Sequence, residues 1–180
     1  QRVIENFGKD NEWIFVINKE MDDKYSITSY LKSIVPDCKV IPVNHTGGAA
    51  CTALMAYEYI DNKPLIVANC DQVVDMNPLI DYEGDGCILT FKSNHPKWSF
   101  ARLFKDKVIE VAEKIPISNH ASVGIYYFRN GLDFVESAMR MIKKNITTKN
   151  GNFDEFYICP VYNEMILMGK TITIHEIPEN

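Results

Sequence analysis

Asp71 stands just past a short apolar run, Leu65-Ile66-Val67-Ala68, with Asn69 and Gln72 beside it and Asp75 four positions on. An apolar run of this kind forms a strand buried on both faces of a sheet. In an open α/β sheet, ligands bind beyond the carboxyl ends of the strands, so an acid there is placed for chemistry. The chemistry it suits is holding a divalent cation against phosphate oxygens, because Mg²⁺ takes one or two protein carboxylates and leaves the rest of its shell to substrate and water. An aspartate that merely caps the following turn would occupy the same position.

Three other clusters have residue types that could touch a ligand. Asn44-His45-Thr46-Gly47-Gly48-Ala49-Ala50 lies between an expected strand at 38–43 and an expected helix at 51–60. Two glycines let backbone approach a ligand, and a helix N-terminus presents N–H groups to an anion or a base edge. A tight strand-to-helix turn also requires glycine for its geometry alone. Glu113-Lys114 is an adjacent acid and base, a pairing common on solvated surfaces. Ser118-Asn119-His120 leads into an apolar strand at 121–128 that is interrupted by Gly124. A glycine inside a strand marks close approach by a ligand or another backbone.

The elements that must position these groups alternate. Residues 1–7 read as the end of an amphipathic helix stopped by Gly8, 12–18 as a strand, and 24–34 as a helix closed by Pro36. With the strand at 38–43, this order favours parallel pairing through right-handed crossovers. Further on come a strand at 86–91, a hairpin of 99–104 and 107–111 turning through Lys105-Asp106, and the strand at 121–128. A helix at 132–145, a polar loop at 147–152, a helix at 161–168 ended by Gly169 and a strand at 171–177 complete the chain.

At 180 residues the chain suits one domain with a real core. Its net charge of -5 and lack of a Lys/Arg stripe argue against a nucleic-acid scaffold. The five cysteines are scattered with no CxxC spacing, which fits buried thiols in a reducing compartment rather than disulfides or zinc. No apolar run approaches a membrane span and no signal-peptide pattern opens the chain, so a cytoplasmic location is expected.

In their order, the 44–50 segment, Asn69-Cys70-Asp71-Gln72, Glu113-Lys114 and Ser118-Asn119-His120-Ala121-Ser122-Val123-Gly124-Ile125-Tyr126 resemble the motifs of sugar-phosphate nucleotidyltransferases. These are the pyrophosphorylases similar to glucose-1-phosphate thymidylyltransferase. The most specific part is the Glu-Lys pair followed by SN-x-A-x-x-G-x-Y. The run Glu155-Phe156-Tyr157-Ile158-Cys159-Pro160-Val161-Tyr162-Asn163-Glu164 is most similar to the branch found in capsule and surface-polysaccharide loci. The resemblance covers nearly the whole chain and implies the nucleotide-diphospho-sugar transferase (GT-A) fold. That fold is α/β, a Rossmann-like mixed, mainly parallel sheet flanked by helices, here one domain over residues 1–180.

The resemblance also implies roles. Thr46, Gly47, Gly48, Ala49, Asn69 and Gln72 would bind the nucleotide, with the backbone around Gly48 facing the base. Asp71 would be catalytic as the ligand of Mg²⁺, the expected cofactor. Ser99, Glu113, Lys114, Asn119 and Gly124 would contact the phosphorylated acceptor, Glu113 through its hydroxyls and Lys114, also catalytic, through its phosphate. The partners would be an NTP and a small phosphate, with no membrane and no nucleic acid, and relatives often form homo-oligomers.

Two departures from the motif stand out. The family's opening strand with its GxGxRF loop, and the Pro-Lys that follows, have no counterpart, so the domain is expected to be N-terminally incomplete. Pro160 stands where the second metal-binding aspartate belongs, with Asp154 and Glu155 close in sequence. Two other readings stay open: a GT-A glycosyltransferase in which Asp71 and Asp75 act as a loose DxD, and a non-catalytic nucleotide-binding domain.

Overall fold

The computed structural model describes residues 2–71, 74 and 82–177, so Gln72 and Asp75 lie outside the described residues. Helix α1 (Arg2–Phe7) ends at Gly8, whose φ of 83° closes it, and is followed by β1 (Ile14–Asn18), α2 (Lys19–Tyr25), α3 (Ile27–Ile34) and β2 (Lys39–Val43). β1 and β2 pair in parallel, as helical crossovers between consecutive strands dictate. The helix expected at 24–34 is broken. Ser26 takes a left-handed φ of 52°, and both carboxylate oxygens of Asp22 are used by Thr28, through its N–H and its hydroxyl, each at 2.6 Å. A carboxylate that satisfies the first turn of α3 favours two short helices over one.

After α4 (Ala49–Leu54) come a single 3₁₀ turn at Tyr57–Tyr59, β3 (Leu65–Ala68), β4 (Gly86–Lys92), β5 (Ser99–Phe104), β6 (Lys107–Glu113) and β7 (His120–Phe128). α5 (Gly131–Lys143), a two-stranded hairpin of β8 (Thr148–Asn150) and β9 (Phe153–Glu155), α6 (Val161–Leu167) and β10 (Ile172–Glu176) follow. The segment expected as a polar loop at 147–152 is therefore a hairpin. Its turn falls at Gly151, with φ 61°, and Asn152.

The main sheet is mixed and flanked by helices, as expected, but its described ladders are more antiparallel than parallel. β10 runs parallel to β4, whereas β3, β4 and β5 each pair antiparallel with β7, and β6 antiparallel with β5. The reason is connectivity. β5 and β6 are joined by a hairpin, and no helix intervenes between β4 and β7, so the chain reverses without the crossovers that parallel pairing requires. Among the described residues, no ladder joins β1–β2 to this sheet.

Side chains alternate across β4 and β7 into two cores. Ile88, Tyr126 and Phe128 face α4, α5 and α6, where Leu54, Phe134, Ala138, Met141, Val161, Tyr162 and Met165 complete one layer. Cys87, Leu89, Val123, Ile125 and Tyr127 face the other way and pack with Phe7 of α1. Tyr162 anchors α6: it stacks on Phe128 at 4.8 Å and its hydroxyl reaches the carbonyls of Tyr127 (2.8 Å) and Cys87 (3.1 Å). The Asn163 amide bonds both the N–H (2.9 Å) and the C=O (2.8 Å) of Val111, satisfying a stretch of β6 on the side away from β5. Among the described residues, no helix is long and apolar enough to cross a membrane.

Candidate active site

β3 and β4 run toward the end of the sheet where β7 begins, with Ala68 opposite Ile125 and Lys92 opposite His120. This is the carboxyl end of β3, where Asn69 and Asp71 sit exposed in a turn. What fixes that turn is a bulge in β7. Between the pairs Ile88–Tyr126 and Thr90–Ser122, β4 advances two residues and β7 four. Gly124 lies in the excess with φ 80°, its N–H held by Ser122 Oγ at 3.0 Å and its C=O accepting the Asn69 N–H at 3.1 Å. A left-handed φ is cheap only for glycine. Gly124 thus aims its peptide at the end of β3.

The glycine-rich turn is built around another segment of the chain. Gly48 has φ 119°, and a Cβ there would stand 2.7 Å from both the N and the O of Phe156. Two backbone bonds clamp the contact, Phe156 N–H to Gly47 O at 2.8 Å and Ala50 N–H to Phe156 O at 2.9 Å. The Thr52 N–H is returned to Gly48 O at 2.9 Å. One of the free N–H groups at the start of the helix, that of Ala50, is therefore used inside the protein. Thr46 bonds through its hydroxyl to Gly48 O (3.2 Å) and to the Thr52 hydroxyl, which rigidifies the turn. Ala49 opens α4.

Ser99 and Glu113 are opposite one another on β5 and β6, only 8% and 7% exposed, and the Ser99 hydroxyl donates to the Glu113 carboxylate. Ser99 therefore orients Glu113 from the neighbouring strand. Burial pushes the Glu113 carboxyl above its ordinary 4.5, while the Ser99 bond and the charge of Lys114 pull it down. Burial likewise holds the neighbouring Cys159 thiol and Tyr126 hydroxyl protonated. Because the folded state binds this proton more tightly than the unfolded chain, Glu113 costs stability as pH rises from 4.5 through the raised value. Glu113→Gln is expected to gain on the wild type at neutral pH and to lose that advantage below 4.5. Denaturant titrations at both ends of the window check this, and a pH-independent difference would contradict it.

Lys114 has a left-handed φ of 58°, unusual for a residue with a side chain, and its N–H bonds Trp98 O at 3.0 Å. The conformation costs about 1–2 kcal/mol, and outliers of this kind concentrate at functional positions. The ammonium donates to the Tyr157 hydroxyl at 2.8 Å and to Asn150 Oδ1 at 3.3 Å, and lies 4.8 Å from the centre of the Tyr157 ring. Asn119 is exposed, and its C=O accepts the Ser93 N–H. The sequence reading missed Asn150, Phe156 and Tyr157. Asn150-Gly151 is a hairpin signature that could have located the first of them.

Among the described residues, no three His, Cys, Asp or Glu side chains gather as a metal centre. Asp71 is an exposed carboxylate that could hold a cation of the Mg²⁺ type, an ion that takes one or two protein carboxylates and completes its shell from substrate phosphate and water. Pro160 is buried at the start of α6 and offers no donor side chain, and Glu155 is already bonded by the Asn150 amide at 3.0 Å.

No family model and no curated protein matches the chain. Solved structures do. The nucleoside-diphosphate-sugar pyrophosphorylase from Vibrio cholerae RC9 matches at a TM-score of 0.79 and 25% identity, over 98% of this chain and 76% of that one. The inositol-1-phosphate CTP transferase from T. maritima shares the fold at a TM-score of 0.63 and 12% identity, over 91% of this chain and 66% of that one.

Proposed function

We propose that this chain is the catalytic domain of a nucleotidyltransferase that joins an NTP to a sugar phosphate or a related small phosphate, giving an NDP-linked product and pyrophosphate. The observation that carries the reading is the match along 98% of the chain to a nucleoside-diphosphate-sugar pyrophosphorylase. A second enzyme of the same fold, named for CTP transfer to inositol 1-phosphate, supports the same reaction class. An acceptor phosphate oxygen attacks the α-phosphorus, the bond from that phosphorus to the bridging oxygen breaks, and pyrophosphate carries away the electron pair. No enzyme nucleophile is needed, so the protein works by positioning and charge neutralisation.

The residues divide that work. Asp71 would hold Mg²⁺, and the bound ion would offset the charge of the triphosphate. The turn from Thr46 to Ala49, with Asn69 and Gln72, would receive the nucleotide. Glu113, oriented by Ser99, would accept hydrogen bonds from acceptor hydroxyls, with Asn119 and Gly124 bordering the acceptor. Lys114 would meet the acceptor phosphate. The resemblance of residues 155–164 to the capsule and surface-polysaccharide branch supports a product destined for such polymers, and the scattered cysteines without CxxC spacing suit an enzyme of the cytoplasm.

Pyrophosphate release by Lys114→Ala tests the assignment. A charge-assisted bond of this kind is worth roughly 10–100-fold, so the acceptor KM should rise by about that factor while the KM for the NTP stays unchanged. An unchanged acceptor KM would remove Lys114 from the acceptor site.

A further inference from the structure

Lys114 lies within a chain of hydrogen-bonded side chains. Its ammonium donates to the Tyr157 hydroxyl at 2.8 Å and to Asn150 Oδ1 at 3.3 Å, while the Asn150 amide donates to Glu155 Oε2 at 3.0 Å. The Glu155 carboxylate also acts on the Tyr157 hydroxyl electrostatically. Burial raises the Tyr157 hydroxyl above its ordinary value, Lys114 lowers it and Glu155 raises it again, so the proton stays on the oxygen at neutral pH. Lysine gives two bonds, and asparagine passes one on to the Glu155 carboxylate. An ammonium has three N–H donors. Two go to Tyr157 and Asn150, and its tetrahedral geometry turns the third away from these two acceptors.

These side chains are also tied to the glycine-rich turn. Glu155, Phe156 and Tyr157 are consecutive. A Cβ on Gly48 would come within 3.1 Å of Glu155 Cβ, Phe156 is clamped to Gly47 and Ala50 by backbone, and Tyr157 holds the lysine.

We propose that Tyr157 is a positioning residue for Lys114, holding its third N–H toward the acceptor phosphate, and that residues 155–157 set this lysine relative to the turn at Gly47-Gly48. The inference rests on the nucleotidyltransferase reading and deepens it. A flexible lysine loses much rotamer freedom when it grips a ligand. A lysine already fixed by tyrosine and asparagine has lost that freedom in advance, so these two bonds act on acceptor affinity rather than on the chemical step.

The test is pyrophosphate release by the full-length gene product, comparing wild type, Tyr157→Phe, Lys114→Ala and the double variant. Tyr157→Phe keeps the ring against the lysine and removes only the hydroxyl. The expected result is an acceptor KM raised about five- to tenfold with kcat and the NTP KM within twofold, and no further change when Tyr157→Phe is added to Lys114→Ala. An unaltered acceptor KM in Tyr157→Phe, or an effect of equal size in the lysine-free background, would overturn the positioning role while leaving the proposed reaction intact. Absence of pyrophosphate release from the wild type with every NTP and acceptor would overturn the reaction itself, and the positioning role with it.

Discussion

Asp71→Asn will lose at least about 100-fold in metal-dependent turnover, because a cation bridging phosphates supplies several kcal/mol of charge stabilisation and asparagine offers it no charge. Asp71 lies exposed in the turn after β3, so thermal stability should move little beside that loss. The check is pyrophosphate release at rising Mg²⁺ with thermal unfolding alongside. Part of the rate should return at high Mg²⁺, since the amide oxygen remains a weak ligand. Full activity at ordinary Mg²⁺ would remove Asp71 from the mechanism.

Gly48→Ala is expected to have the largest effect on stability, through two causes that add. The φ of 119° disfavours any side chain, and the new Cβ would stand 2.7 Å from the backbone N and O of Phe156. Backbone held by two hydrogen bonds cannot step aside as a flexible side chain can. The cost is about 2–4 kcal/mol, or a Tm lower by roughly 5–15 °C for a chain of this size. Since Phe156 adjoins Tyr157, the acceptor KM should rise as well. Gly151→Ala is the control: it has a left-handed φ of 61° but nothing within 4 Å of the added Cβ, and should cost only the conformational penalty of about 1–2 kcal/mol. Equal destabilisation by the two would show that the Phe156 contact does not matter.

These contrasts mark what the sequence could reveal. Apolar periodicity located β1, β2, β4, β7, α5 and α6, since each buries a face that must repeat. It could not locate Phe156 against Gly48, a contact between residues more than a hundred positions apart that leaves no local pattern. The hairpin through Lys105-Asp106 was legible, but its register was not. Counting from the turn pairs Ser99 with Ala112, and the bulge between Arg102 and Leu103 moves its partner to Glu113, which brings the hydroxyl to the carboxylate. The left-handed Lys114 was likewise invisible, because its conformation follows from the strand ending against Trp98 O rather than from lysine's own preferences. The acids, glycines and the Glu-Lys pair were legible as residue types. Asn150 and Glu155, which join the lysine's hydrogen-bond chain, come from a hairpin too polar to show strand alternation.

The most direct test of the central claim follows the label from an NTP carrying ³²P at the α position, incubated with the full-length gene product, Mg²⁺ and a panel of small phosphate acceptors. Nucleotidyl transfer predicts that the label appears in the acceptor-linked product, one unlabelled pyrophosphate being released for each label transferred. Transfer of only the terminal phosphate, or consumption of an NDP-sugar with no pyrophosphate from any NTP, would contradict it.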